Sequence, residues 1–418
     1  MPVRALPVVQ NWDCHGCTNC CRTYAVGVTE AERMTLAKQA WSLDPEMAGI
    51  ETVVRDKQIG GYRLNHTAEG TCVFLASDGR CRIHAKFGAA AKPMACRIYP
   101  FVLVPGGEHW RVGIRFACPS VSANKGQPLS AHIDELTEYA GLLEADAPQA
   151  VDVERPPPLL QAGQTVPWPD LIRFMKAFLD LIGNESYTLE HRLRQVAAVA
   201  KMCKQSRFDT VTGPRLNEFL TVMCAAMSDE VQPEPQTVTR PSWISRNLFR
   251  QQLAIFSRVD NGPDAGISSR GRFTRLWSAW RFARGSGRIP RLHRQIPDMS
   301  FAHAEQPAGP LDAKSTALLT RYYHVKVLSL QFCGAANFGR GFWDGLDSLL
   351  LTFPTIMWLS RVLTTTEQSR EDAIELALRI VDDHFCYNRL LGAARQTWAI
   401  GVMSDRGDIA KLIAWYAR

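Results

Sequence analysis

The placement of the cysteines constrains this chain more than any other feature. Of twelve in 418 residues, eight fall within the first 118. Four of these, Cys14, Cys17, Cys20 and Cys21, crowd into one turn of sequence, and Cys72, Cys81, Cys96 and Cys118 follow. The N-terminus, MPVRALPVVQNWDC, has no apolar segment of signal-peptide type and is interrupted by Pro2 and Pro7, so no secretory leader is expected. The best apolar run, Ser348 to Leu359, contains Pro354 and falls short of the roughly 20 residues needed to cross a bilayer. The expected location is therefore cytoplasmic. In an intracellular chain, clustered cysteines read as metal ligands before they read as disulfides.

The run Cys14-His15-Gly16-Cys17-Thr18-Asn19-Cys20-Cys21 has the spacing C-x2-C-x2-C-C. Thiolates two residues apart can reach one metal from a tight turn, and Gly16 eases that turn. Zinc takes four such ligands at about 2.3 Å each, and a [4Fe-4S] cluster also takes four thiolates. Side chains of adjacent residues diverge, so one of Cys20 and Cys21 ligates while the other faces a second metal or stays free. Cys72, Cys81, Cys96 and Cys118 are too scattered to define a site by spacing and can join one only through the fold. Eight thiols suit two four-thiolate sites, or one cluster and a smaller site. Spacing does not choose between zinc and iron. His15 and His84 read first as a loop and a strand-end histidine, and second as ligands. Arg97, beside Cys96, would either offset the charge of a thiolate centre or form a surface ion pair. Cys203, Cys224, Cys333 and Cys386 lie in apolar helical stretches and read as small core residues.

The expected fold class is α+β, with a small cysteine-rich metal module over residues 1–145, a Pro-rich linker over 146–169 and a larger, mainly α-helical region over 170–418. Thr29 and Glu32 have capping-box spacing, which makes Glu30 and Glu32 helix-start residues, and Met34, Ala37 and Trp41 follow on one helical face. Cys72–Leu75 and Arg80–Ile83 read as strands around an Asp78-Gly79 turn. A second hairpin is expected from Tyr99 to Phe116 with its turn at Pro105-Gly106-Gly107. Pro148, Pro156, Pro157, Pro158, Pro167 and Pro169 interrupt the linker. Beyond it, Asp170 can cap a helix whose apolar face runs Leu171, Phe174, Met175, Phe178, Leu179, Ile182. Further helices are expected over 187–205, 216–227, 314–332, 342–363, 370–385 and 409–417. Irregular stretches are expected over Gln232–Pro241 and Arg284–Pro310.

The formal net charge of +7 belongs to one stretch. Arg240 to Arg294 holds twelve arginines, no lysine and two acids, Asp260 and Asp264, so the rest of the chain is net acidic. Aromatics interleave with those arginines: Trp243, Phe249, Phe256, Phe273, Trp277, Trp280 and Phe282. Arginine pairs with phosphate and aromatics stack on bases, which would suit nucleic acid. The same residues at helical spacing would suit an anionic membrane surface. The plainer reading is a helical pair with aromatics in the core and arginines in water.

The first 120 residues resemble the YkgJ-type cysteine-cluster family, known as a zinc- or iron-chelating domain and as the flagellin N-methylase family. The resemblance rests on Cys14, Cys17, Cys20 and Cys21, then Gly70-Thr71-Cys72-Val73-Phe74-Leu75, Cys81-Arg82-Ile83-His84, and above all Lys92-Pro93-Met94-Ala95-Cys96-Arg97-Ile98-Tyr99-Pro100. These pieces occur in the family's order. The resemblance implies a metal or iron–sulfur protein, and in one branch lysine N-methylation of a protein substrate with S-adenosylmethionine. No Gly-rich nucleotide loop accompanies it: the glycines of 334–345 lack the G-x-G-x-x-G register. Two functions are thus expected as alternatives. One is a chelating cysteine-cluster protein that serves side-chain modification. The other is a zinc-stabilised protein whose arginine–aromatic segment binds nucleic acid, an anionic surface or a protein.

Overall fold

The computed structural model describes residues 1–4, 6–56, 60–146, 156–232, 238–258, 272–292, 295–364 and 368–418. Pro148, residues 233–237 of the Gln232–Pro241 stretch, and 259–271 and 293–294 of the arginine-rich stretch lie outside them, as do the side chains of Arg272 and Arg275.

The architecture is α+β. The N-terminal part carries short strands and helices: β1 (Val3–Arg4), β2 (Asn11–Trp12), α1 (Asn19–Thr23), β3 (Gly27–Val28), α2 (Glu30–Lys38), β4 (Val53–Asp56), β5 (Gly61–Leu64), α3 (Arg82–Phe87), α4 (Met94–Ile98), β6 (Phe101–Pro105), β7 (Trp110–Ile114), α5 (Pro119–Ser122), β8 (Gln127–Pro128) and α6 (Ile133–Asp146). Three small sheets result, ordered β1-β7-β6, β2-β8 and β3-β5-β4. The remainder is helical: α7 (Trp168–Gly183), α8 (Leu189–Lys204), α9 (Gly213–Glu230), α10 (Trp243–Phe256), α11 (Arg272–Arg284), α12 (Phe301–Ala304), α13 (Ala313–Leu328), α14 (Phe342–Leu350), α15 (Thr352–Leu363), α16 (Arg370–His384), α17 (Ala394–Asp405) and α18 (Asp408–Ala417).

The apolar side chains separate into two cores. The larger runs through the helices and takes in the β6–β7 hairpin, whose Phe116 end packs edge-on against Tyr322 of α13 at 5.3 Å. Leu160 and Val166, from the proline-rich stretch, are buried in it as well. The smaller consists of Val28, Leu36, Trp41, Met47, Leu64, Val73, Phe74 and Ile83, and Cys72, Cys81 and Cys96 pack against it.

Several expectations are met in detail. Thr29 accepts from the Glu32 backbone N–H, and the Glu32 carboxylate accepts from the Thr29 N–H at 2.7 Å, closing the capping box. The β6–β7 hairpin forms in the anticipated place. The buried face of α7 is Leu171, Phe174, Met175, Phe178 and Ile182 as expected, with Leu181 buried in place of the partly exposed Leu179.

Other expectations need correction. Met34 is 52% exposed and Leu36 is the buried residue of α2. A left-handed Ala40 (φ 49°) breaks the helical register before Trp41. Asp78-Gly79 does turn, with Gly79 at φ +83°, but its flanks make only isolated bridges, His66 with Cys72 and Leu75 with Cys81. So short a loop closes one pair, and the chain then enters α3. Asp170 lies inside the first turn of α7 and does not cap it. Its carboxylate accepts from the Gly213 N–H at 3.0 Å and so ties α9 to α7. The 342–363 stretch is two helices. Pro354 has no N–H to continue the first, but is tolerated in the first turn of the second. This stretch is long and apolar enough to span a membrane by composition, and apart from the partly buried Asp344 it is buried inside the protein.

Candidate metal centre

The cysteine motif is held from three sides. Asp13 is fixed to the 125–128 segment: its N–H donates to the Lys125 carbonyl at 3.0 Å, and its carboxylate accepts from the Gln127 N–H at 2.9 Å. Gly126 permits this approach, because a Cβ there would lie 2.2 Å from the Asp13 nitrogen. Cys14 and Cys17 sit on the exposed loop that follows, with Gly16 at φ +64°. The chain then turns into α1, which carries Cys20 and Cys21. Arg379 of α16 donates to the Asn19 side chain at 3.3 Å. The Asp78-Gly79 turn presses against the same loop, so that a Cβ on Gly79 would meet the Thr18 methyl at 3.5 Å.

The downstream cysteines reach α1 through backbone pairing and packing. The Cys72 N–H donates to the Cys21 carbonyl at 2.8 Å. Cys81 directly precedes α3. Cys96 rides on α4, and α4 is anchored by Glu32, whose second carboxylate oxygen accepts from the Met94 N–H at 2.7 Å. One carboxylate thereby caps two helices and sets the position of Cys96 relative to α2.

The eight thiols fall into two groups. In the first, the charges of Cys20 and Cys81 reach both Cys72 and Cys96. The Cys20 thiol is pushed far up, first by its contact with Cys21 (sulfurs 3.9 Å apart) and then by burial. Burial pushes Cys72 up to about 11, and the Cys81 and Cys20 sulfurs add to the shift. Burial pushes Cys96 up to about 12, with further upward contributions from Cys72, Cys81 and Cys20. Lys92 acts in the opposite direction on both Cys20 and Cys96. Cys118, buried, belongs to the second group: burial raises its thiol, and Cys17 adds to the rise. Cys14 shares the Cys17 loop.

The side chains of Cys20 and Cys21, expected to diverge, instead bring their sulfurs to 3.9 Å of each other. Within the motif, the Cys21 backbone meets the Cys72 segment, and the Cys17 charge acts on Cys118. Among the described residues, no group of three or more His, Cys, Asp or Glu side chains is already arranged to hold an ion. The thiols are neighbours, not a closed cage.

The donor chemistry nevertheless fits a soft metal. An all-sulfur set selects zinc or iron–sulfur over hard cations. Clustered thiols that resist ionisation keep their protons until a cation replaces them, so binding releases protons. His15 points back to the Asp13 carbonyl at 2.8 Å, and His84 is exposed on α3. Arg97 makes the plainer contact, an ion pair with Glu138, and lies over the Tyr139 ring at 5.4 Å. The cation whose charge acts on Cys20 and Cys96 is Lys92. Sequence reasoning passed over it, although it opens the block that contains Cys96.

The module is bolted to the helices through a polar seam. Tyr24 donates to Asp383 at 2.8 Å, as does Arg115, which stacks over Tyr387 at 3.8 Å. The Ala117 N–H donates to Asp382 at 3.0 Å, and Asp382 pairs with Lys326 at 2.6 Å, both fully buried. No sequence signal marked this pair. Cys203 and Cys333 are buried in the large core, as expected, and Cys224 and Cys386 pack at its edge.

Fold and thiol arrangement together mark out a cysteine-cluster module. Residues 13–122 match the CxxCxxCC family model, described as "Putative zinc- or iron-chelating domain". No curated protein and no solved structure matches the chain. The matched segment spans all eight N-terminal cysteines and the β6–β7 hairpin, and ends before the helical region.

Proposed function

We propose that the N-terminal module binds its metal, zinc or an iron–sulfur cluster, through Cys20, Cys72, Cys81 and Cys96. The supporting observation is that these four thiols come from four separate points of the chain, and yet the charges of Cys20, Cys72 and Cys81 all act on Cys96 and those of Cys20 and Cys81 on Cys72. Cys21, in contact with Cys20, is the reserve ligand. Cys17 and Cys118, with Cys14 on the same loop, form the second thiol group. Lys92 offsets the surplus negative charge that four thiolates leave around a divalent ion.

The test is metal and sulfide content, with the visible spectrum, of protein purified without oxygen. Cys72→Ser and Cys96→Ser are expected to lose bound metal, while Cys203→Ser retains it. Full retention in both Cys72→Ser and Cys96→Ser would overturn the assignment. Acid-labile sulfide with visible charge-transfer absorption would assign an iron–sulfur cluster. A colourless zinc protein would assign a structural site. With a cluster present, titration of S-adenosylmethionine into the same sample tests the side-chain modification reading.

A further inference from the structure

The arginine-rich stretch contains a built surface that metal chelation does not use. α10 and α11 pack against each other, and a cleft of about 630 Å³ opens between them. Arg240, Arg246, Arg250 and Arg284 line it together with Trp243 and Trp280. Among the described residues, only Arg250 of these four meets a carboxylate, that of Glu305 at 3.2 Å. Arg246 is held below its ordinary value first by burial and then by the like charges of Arg240 and Arg250. Guanidinium groups crowded in this way repel one another, and an anion placed among them relieves the repulsion. Gly285 makes the crowding sterically feasible. It stands at φ +63°, and a Cβ there would lie 2.3 Å from the Arg250 guanidinium carbon.

The cleft continues into an apolar face. Phe273, Leu276, Trp277 and Trp280 recur at i, i+3, i+4 and i+7 on α11, so they share one side of the helix. Phe273 is 88% exposed, Leu276 67%, and both tryptophans 52%. Ser278 and Phe282, on the other side, are buried. Trp280 belongs to both features, and Trp243 stands 71% exposed at the cleft. A contiguous apolar face of this kind, rimmed by cations, marks an interaction surface. Tryptophan prefers the headgroup level of a bilayer, and arginine is drawn to anionic lipid. Single-stranded nucleic acid would use the indoles but has no use for Leu276, which offers no stacking face.

We propose that this surface docks on an anionic bilayer. Phosphodiester headgroups sit among Arg240, Arg246 and Arg284. Phe273, Leu276 and Trp277 enter the boundary between headgroups and acyl chains. The proposal is independent of the metal centre.

The test is co-sedimentation of the full chain with vesicles of phosphatidylcholine alone and of phosphatidylcholine mixed with phosphatidylglycerol. Binding is expected only to the mixed vesicles and should weaken with added salt. Arg240→Glu/Arg284→Glu is expected to weaken it at least about tenfold. Phe273→Ser/Leu276→Ser is expected to do the same, by removing apolar surface that would enter the interface. These four side chains are exposed or at the helix end, so the variants should keep the wild-type circular dichroism. Equal binding to both vesicle types, or to neither, would overturn the proposal. So would tight binding of a short oligothymidine that Phe273→Ser/Leu276→Ser leaves unchanged.

Discussion

The two cores of this protein are built by different means. The large core buries whole helices, with Trp343, Trp358, Phe174 and Phe178 fully enclosed. The small core has eight buried apolar side chains and thiols along its edge. So small a core supplies little net stability after the entropy of ordering its loops is subtracted. The chain as a whole is long enough to fold without a metal, but this lobe is the part that gains most from one. Ligation at its edge would link α1, α3, α4 and the Cys72 loop, which backbone pairing joins only at isolated points.

The largest expected effect therefore comes from removing the metal. Binding energies of structural zinc sites reach about 10 kcal/mol or more, and in small lobes that energy is folding energy. Chelation, or Cys72→Ser/Cys96→Ser, is expected to abolish hydrogen-exchange protection around Leu36, Phe74 and Ile83, while α14 and α15 keep theirs. Exchange read by mass spectrometry before and after chelation measures both regions in one sample. Equal loss in both would show that the cores are one cooperative unit.

The next effect concerns the seam between the regions. Lys326→Met leaves Asp382 buried with only the Ala117 N–H as a described hydrogen-bond donor. Breaking a buried pair on one side costs about 3–5 kcal/mol. Urea denaturation is expected to show that loss in the helical transition with metal content unchanged. Lys326→Met/Asp382→Leu should recover most of it, because the cost lies in the stranded charge.

What the sequence disclosed follows the same division. Local rules were legible: the Thr29–Glu32 box, the β6–β7 hairpin and the α7 face each depend on residues a few positions apart. The thiol grouping was legible only as a membership list. Which cysteines meet depends on the Cys72–Cys21 backbone bond and on Glu32 reaching α4, and both are contacts between distant segments. The Lys326–Asp382 pair was hidden for the same reason, since one lysine on a helix and one of two adjacent aspartates, Asp382-Asp383, on another give no periodic signal. Met34 misled because helical spacing identifies faces without saying which one the rest of the fold covers.

Glu32→Gln sharpens the comparison from inside the small lobe. The carboxylate serves Thr29 at the start of α2 and Met94 at the start of α4. The amide keeps the shape, but its single carbonyl oxygen can accept from only one of the two N–H groups and its NH2 faces the other, so one bond is lost and the remaining one loses its charge, a cost of about 1–3 kcal/mol. The expected result is weaker metal retention in competition with a chelator and an unchanged urea midpoint for the helical region.

The smallest effect distinguishes the two cations of the Cys96 block. Arg97 pairs with Glu138, which is 58% exposed, and such pairs contribute about 0–1 kcal/mol. Arg97→Ala is therefore expected to leave metal content unchanged and to lower stability only slightly, partly through lost packing on Tyr139. The charge of Lys92 acts on Cys20 and Cys96, so Lys92→Ala removes a positive charge from the proposed thiolate centre. Chelator competition on the two variants side by side should show faster metal loss for Lys92→Ala alone. The opposite order would mean that the thiolate charge is balanced through α4 and α6, and that Arg97, the residue adjacent to Cys96 in sequence, is its partner after all.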